Sequence, residues 1–133
     1  MKIVGPDEYP FSDRELPLDY EQNLTSYFAS LFVPPRPRGD VFVDVGANVG
    51  TWTLRLAPFF RRVIAFEPDP RAFAALMKNA ELNDLCNVEL HRKAVGRTHK
   101  SGTLVFYDCP GHSAMEGNVL PRSEKTGETP VEI

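Results

Sequence analysis

Two stretches of the chain combine side chains and main chain of the kind that hold small molecules. The first is the run Asp44-Val45-Gly46-Ala47-Asn48-Val49-Gly50, and the second is Glu67 with Pro68 behind it. Gly46 and Gly50 permit a tight turn and let a ligand reach the backbone with no Cβ in the way. Free amides at the start of a following helix favour an anionic or carboxylate group. Asp44 is placed to hold an ammonium, directly or through water. Glu67 ends the next apolar run, where a carboxylate can accept from both hydroxyls of a ribose. His91, Lys93, His99 and His112 are of the types that act as general bases. None has a second constraint from sequence: His91 falls in a strand, where a structural role is the simpler reading, and His99 and His112 fall in loops. No catalytic base is assigned. Cys86 and Cys109 make neither a disulfide framework nor a zinc-type cluster, so reduced, unpaired thiols and no metal site are expected.

The elements that must position these residues follow from periodicity. Val41 to Val45 reads as a buried strand, and the glycine turn leads into a helix over about residues 49–57, closed by Pro58. Residues 62–67 form the next strand. Asp69 and Pro70 are an N-cap and first-turn pair opening a helix to about Leu82, with Phe73, Leu76, Met77 and Ala80 as its apolar face. Residues 87–91 make a third strand. This β-α-β-α-β order with short connections implies parallel strands and right-handed crossovers. Two further β-segments are expected at 103–107 and from Thr129, with a polar loop at about 108–128 between them. Ahead of the strands, residues 1–39 read as an irregular arm, a short amphipathic helix over about 20–32 carrying Leu24, Tyr27, Phe28 and Leu31, and a Pro-rich linker. Residues 40–133 read as the ligand-binding domain.

A dinucleotide site would show Gly-x-Gly-x-x-Gly, and Asn48 stands where that pattern wants its second glycine. The turn therefore suits a smaller cofactor such as S-adenosylmethionine, whose methionine carboxylate matches the helix start. Residues 43–53, the run Ala65-Phe66-Glu67-Pro68-Asp69-Pro70, then Asn79-Ala80-Glu81-Leu82-Asn83 and Ala94-Val95-Gly96 resemble, in order, the FkbM family of class I methyltransferases. The resemblance covers roughly residues 40–108. It implies a Rossmann-like sheet and S-adenosylmethionine-dependent O-methylation of a sugar or other small-molecule hydroxyl. It also implies cofactor contacts from Asp44, Gly46, Ala47, Asn48, Gly50, Glu67 and Pro68, with Lys93 and Ala94 near the adenine.

The family continues with a further acidic strand that has no counterpart here. The expected fold is accordingly an incomplete class I methyltransferase sheet: three parallel strands plus later β-segments. Its first strand would be an exposed apolar edge, which invites pairing. The expectation is a homo-oligomer, or a missing C-terminal portion that completes the sheet. A catalytically inactive cofactor-binding or protein-interaction module and, more distantly, a nicotinamide-dependent oxidoreductase are the competing readings. Composition is that of a soluble globular domain, 42% hydrophobic and 25% charged. With a net charge of −3 and no long apolar run, no nucleic-acid or membrane partner is expected, and a cytoplasmic location is.

Overall fold

The computed structural model describes Ile3, Tyr27, Ser30 and residues 39–97, 101–107, 113–115 and 125–133. Strand β1 spans Gly39–Val45, helix α1 Thr51–Leu56, strand β2 Phe60–Phe66, helix α2 Pro70–Leu82 and strand β3 Val88–His91. A 3-10 turn, Ala57–Phe59, links α1 to β2 where Pro58 stops the helix. The three strands are parallel in the order β1-β2-β3. This is the Rossmann-like α/β arrangement that the alternating pattern implies. Strands β4 (Ser101–Tyr107), β5 (Ser113–Met115) and β6 (Lys125–Glu132) form a second, antiparallel sheet in the order β5-β4-β6.

The two faces of the parallel sheet differ. Register places Val41, Val43 and Val45 beside Arg62, Ile64 and Phe66, which in turn neighbour Glu89 and His91. The other face carries Phe42, Asp44, Val63, Ala65, Val88 and Leu90, because side chains alternate along a strand. Both helices pack on that second face. Leu56, Ala57, Phe60 and Val63 cluster there with Phe42, Trp52 and Val88, while Ala65 meets Leu76 and Ala47. Among the described residues no helix covers the first face, and Val41, Val43 and Val45 are about half exposed.

Three expectations change in detail. The buried side of α2 is Ala72, Ala75, Leu76, Asn79 and Ala80, whereas Met77 is exposed. At 100° per residue the buried face centres on Ala72, Leu76, Asn79 and Ala80, which leaves Met77 at its flank. Tyr27 lies in a helical turn but is 61% exposed, so it is not part of a buried stripe. Ile3, by contrast, is buried against Val49, Leu54 and Ala75, so the N-terminal arm reaches the core at that residue. Apart from Tyr27 and Ser30, the expected helix residues of 20–32, the linker before Gly39, and His99, Cys109 and His112 lie outside the described residues. So does most of the polar loop.

Among the described residues, no helix is long and apolar enough to cross a membrane, and no group of His, Cys, Asp and Glu is placed to hold a metal.

Candidate functional site

The glycine turn is held in place from four directions. The amides of Gly46 and Ala47 both donate to the carbonyl of Phe66, at 2.9 and 3.0 Å, which ties the end of β1 to the end of β2. The amide of Asn48 donates to Glu67 Oε2 at 2.8 Å. Asn79 Nδ2, fully buried on α2, donates to the carbonyl of Val49 at 2.7 Å. The amide of Gly50 donates to the carbonyl of Ala47 at 2.8 Å. This hydrogen bonding sets the left-handed angles at Gly46 (φ 78°), Asn48 (φ 52°) and Gly50 (φ 95°). Asparagine is among the few non-glycine residues that adopt such angles readily.

The two glycines serve different ends. A Cβ on Gly50 would lie 2.6 Å from Leu76 and 2.7 Å from Leu54, so packing as well as φ excludes a side chain there. A Cβ on Gly46 would meet nothing within 4 Å, and Gly46 is exposed. Its backbone therefore faces open space at the carboxyl end of the sheet, where ligands bind in folds of this kind.

Three buried carboxylates gather around the turn. Asp44 Oδ2 accepts from Thr53 Oγ1 at 2.5 Å, and the Thr53 amide donates to the same carboxylate. Asp44 thus takes one amide of the first turn of α1, that of Thr53. Glu67 accepts from Asn48 through one oxygen and from the Asp69 amide, at 2.8 Å, through the other. Asp69 caps α2 by accepting from the Arg71 amide at 2.9 Å, with Pro70 at the first helical position.

Burial pushes the carboxyls of Asp44 and Glu67 above their ordinary range. At Glu67 the amide hydrogen bonds oppose that rise, and the charges of Asp69 and Asp44 reinforce it. The site is therefore electronegative and low in dielectric. It suits a ligand that brings positive charge and hydroxyl donors.

The remaining candidates lie along β3 and the segment after it. His91 Nε2 lies 2.7 Å from Glu89 Oε1, its ring stacks on Phe66 at 4.9 Å, and Arg62 bonds the same Glu89. This network sits on the uncovered face of the sheet. Lys93 Nζ donates to Glu132 Oε1 at 2.7 Å, and the amide of Ala94 donates to the Glu132 carbonyl at 2.8 Å. Lys93 and Ala94 thus anchor β6. Pro68 opens onto a cleft of about 180 Å3.

Asp44, Gly46, Ala47, Asn48, Gly50 and Glu67 are brought together in one turn, while Lys93 and Ala94 stand at the junction with the second sheet. Sequence reasoning missed Asn79 as the pin on the turn and Thr53 as the partner of Asp44. The physical signal for Asn79, beside its place in the run that resembles the family, is its helical phase with Ala72, Ala75 and Leu76, which puts an amide on an otherwise apolar face.

No family model matches the chain. It is 35% identical over 86 residues to "Methyltransferase 1" of Beauveria bassiana (strain ARSEF 2860), covering 62% of this chain and 34% of that protein. It is 28% identical over 112 residues to "Methyltransferase sdnD" of Sordaria araneosa, covering 80% of this chain and 42% of that one. The chain thus spans well under half the length of these curated relatives. Among solved structures, a precorrin-8w decarboxylase of Methanobacterium thermoautotrophicum aligns with a TM-score of 0.49 and 28% identity, over 67% of this chain and 44% of that chain. A Streptococcus mutans protein in complex with SAH aligns with a TM-score of 0.47 and 20% identity, over 55% and 40%.

Proposed function

We propose that the chain binds S-adenosylmethionine over the β1 turn and Glu67, and that the protein transfers its methyl group to a hydroxyl of a sugar or other small molecule, as FkbM-type enzymes do. The observation that carries this reading is the pair of buried, electronegative carboxylates, Asp44 and Glu67, beside the open backbone of Gly46. S-adenosylmethionine brings a sulfonium and an ammonium to such a site, whereas a dinucleotide would bring a pyrophosphate to the turn beside buried Asp44. Each Glu67 oxygen accepts one amide and has a second lone pair for a ribose hydroxyl. The similarity to two curated methyltransferases supports the same reading.

When bound, the cofactor supplies an activated methyl group. The chain's own part is to fix the cofactor, since in-line positioning of the acceptor provides much of the acceleration. A second reading, a binding module without transfer, is favoured by one observation. The two described base candidates, His91 and Lys93, are both engaged with carboxylates.

Calorimetric titration with S-adenosylhomocysteine and, separately, NAD tests the cofactor. Micromolar binding of the first alone is expected, and binding of NAD alone overturns the reading. Methyl transfer to hydroxyl acceptors then separates enzyme from module, because binding does not establish turnover.

A further inference from the structure

We infer that Thr53 is a positioning residue of the cofactor site: its hydroxyl and its amide together hold the Asp44 carboxylate in the orientation that receives the ammonium of the cofactor's amino-acid part. This rests on the cofactor reading above and gives a role to a side chain that acts only through Asp44.

Thr53 stands in the first turn of α1 and is fully buried, and its Oγ1 donates to Asp44 Oδ2 at 2.5 Å. A hydroxyl has one proton to give, so Asp44 receives all of it. Threonines in helices commonly donate to a carbonyl three or four residues back. Four residues back from Thr53 is Val49, whose carbonyl accepts instead from Asn79 Nδ2 at 2.7 Å, and the Thr53 hydroxyl crosses to β1. Capping of α1 does not require that crossing. Gly50 has no side chain to cap the helix, and the Asp44 carboxylate supplies the acceptor for the Thr53 amide. The amide bond alone would answer the helix. The hydroxyl bond adds a second point of attachment, and two points fix a carboxylate that one would let turn.

The surroundings of Asp44 make this attachment matter. Its neighbours across the sheet are Ala65 and, beyond that, Leu90, both apolar. The charged groups nearest in the site are Glu67, just past β2, and Asp69, at the start of α2, both acidic. Arg71 is paired with Asp69, and the His91 ring lies on the opposite face of the sheet against Phe66 and Glu89. Among the described residues, no Lys, Arg or His acts on Asp44 or Glu67. Burial pushes the Asp44 carboxyl up, and the two Thr53 hydrogen bonds hold it down. Thr53 therefore favours the ionised form that an ammonium needs. A carboxylate accepts at about four lone-pair sites. Thr53 takes two, and the rest are left for a ligand beside the open backbone of Gly46.

The test is calorimetric titration of the 133-residue chain from about pH 5 to 8. S-adenosylhomocysteine carries the ammonium, and 5′-methylthioadenosine, with the same nucleoside and sulfur but no ammonium, is the control. Thr53→Val removes the hydroxyl at nearly constant shape. Thr53→Ala removes it by leaving a small space and serves if the first variant does not fold, as thermal melting shows. Either is expected to weaken S-adenosylhomocysteine by about tenfold at neutral pH, with 5′-methylthioadenosine bound as in wild type. Without the hydroxyl the Asp44 carboxyl rises further, so the pH at which S-adenosylhomocysteine binding is half lost moves upward. Thr53→Ser keeps the donor and is expected to restore the wild-type pH profile. Wild-type affinity for S-adenosylhomocysteine in a folded Thr53→Val or Thr53→Ala overturns the inference and leaves the cofactor reading standing. Equal weakening of both ligands with an unmoved pH profile also overturns it, since Thr53 would then be structural only. If the wild-type chain binds neither ligand, the cofactor reading itself fails, and this inference with it.

Discussion

The two faces of the parallel sheet show what a binding turn needs in order to keep its shape. On the helix-covered face, Asp44, Val63 and Ala65 lie under α1 and α2, and every described anchor of the glycine turn passes through that side or the strand ends. On the other face, Val41, Val43 and Val45 are half exposed and the polar network of Arg62, Glu89 and His91 lies at the surface. Shape at the turn therefore depends on packing from one side only. The uncovered side contributes little to it, and leaves apolar surface for association.

The largest effect that would break this contrast is at Gly50. Gly50→Val forces a side chain into Leu54 and Leu76 at φ 95°. Overpacking and left-handed strain together are expected to cost about 3 kcal/mol or more in a denaturant titration. A loss under 1 kcal/mol would mean that the turn relaxes freely. Next is Asn79→Ala, which leaves the buried Val49 carbonyl without this donor. The expected loss is about 2 kcal/mol, together with weaker S-adenosylhomocysteine binding.

A smaller effect concerns pH. The carboxyls of Asp44 and Glu67 are raised on folding, so the folded chain holds protons that the unfolded chain has already released. Stability linked to these two groups is full below the ordinary carboxylate range and falls as pH rises through their raised folded values. Glu67→Gln should flatten that part of a urea-midpoint profile measured from about pH 4 upward, and an unchanged slope would place the linkage elsewhere. Smallest in stability is Val43→Lys on the open face, expected to shift stability by no more than about 0.5 kcal/mol. The same variant should reduce self-association in sedimentation velocity. If it unfolds the chain instead, the two faces are not as different as described.

Much of this site can be read from residue types. The glycine run, the acid ending the second strand and the Asp69-Pro70 helix start are local signals, and the structure places them as a left-handed turn, a buried carboxylate just past β2 and a capped helix. What could not be read are partnerships across distance in sequence. Asn79 reaches Val49 only because α2 folds back over the turn, and a lone asparagine in a helix does not announce its acceptor. Glu67 is legible as an acid at the end of the second strand, but its hold on the Asn48 amide depends on the β1–β2 register. Met77 stands at the flank of the buried face, and hydrophobic periodicity alone does not say which of two neighbouring apolar rows meets the sheet. The docking of β6 on Lys93 and Ala94 is set by the antiparallel sheet, whose pairing has no local mark.

The central claim is that the turn from Asp44 to Gly50, closed by Glu67, cradles the cofactor. Titrating 15N-labelled protein with S-adenosylhomocysteine and following backbone amide shifts tests it most directly. The expected result is saturable perturbation strongest at Gly46, Ala47, Asn48 and the amides of Glu67 and Asp69, with little change at Val41 and Val43. Saturable shifts confined to the open face, or none at the turn at millimolar ligand, would contradict it.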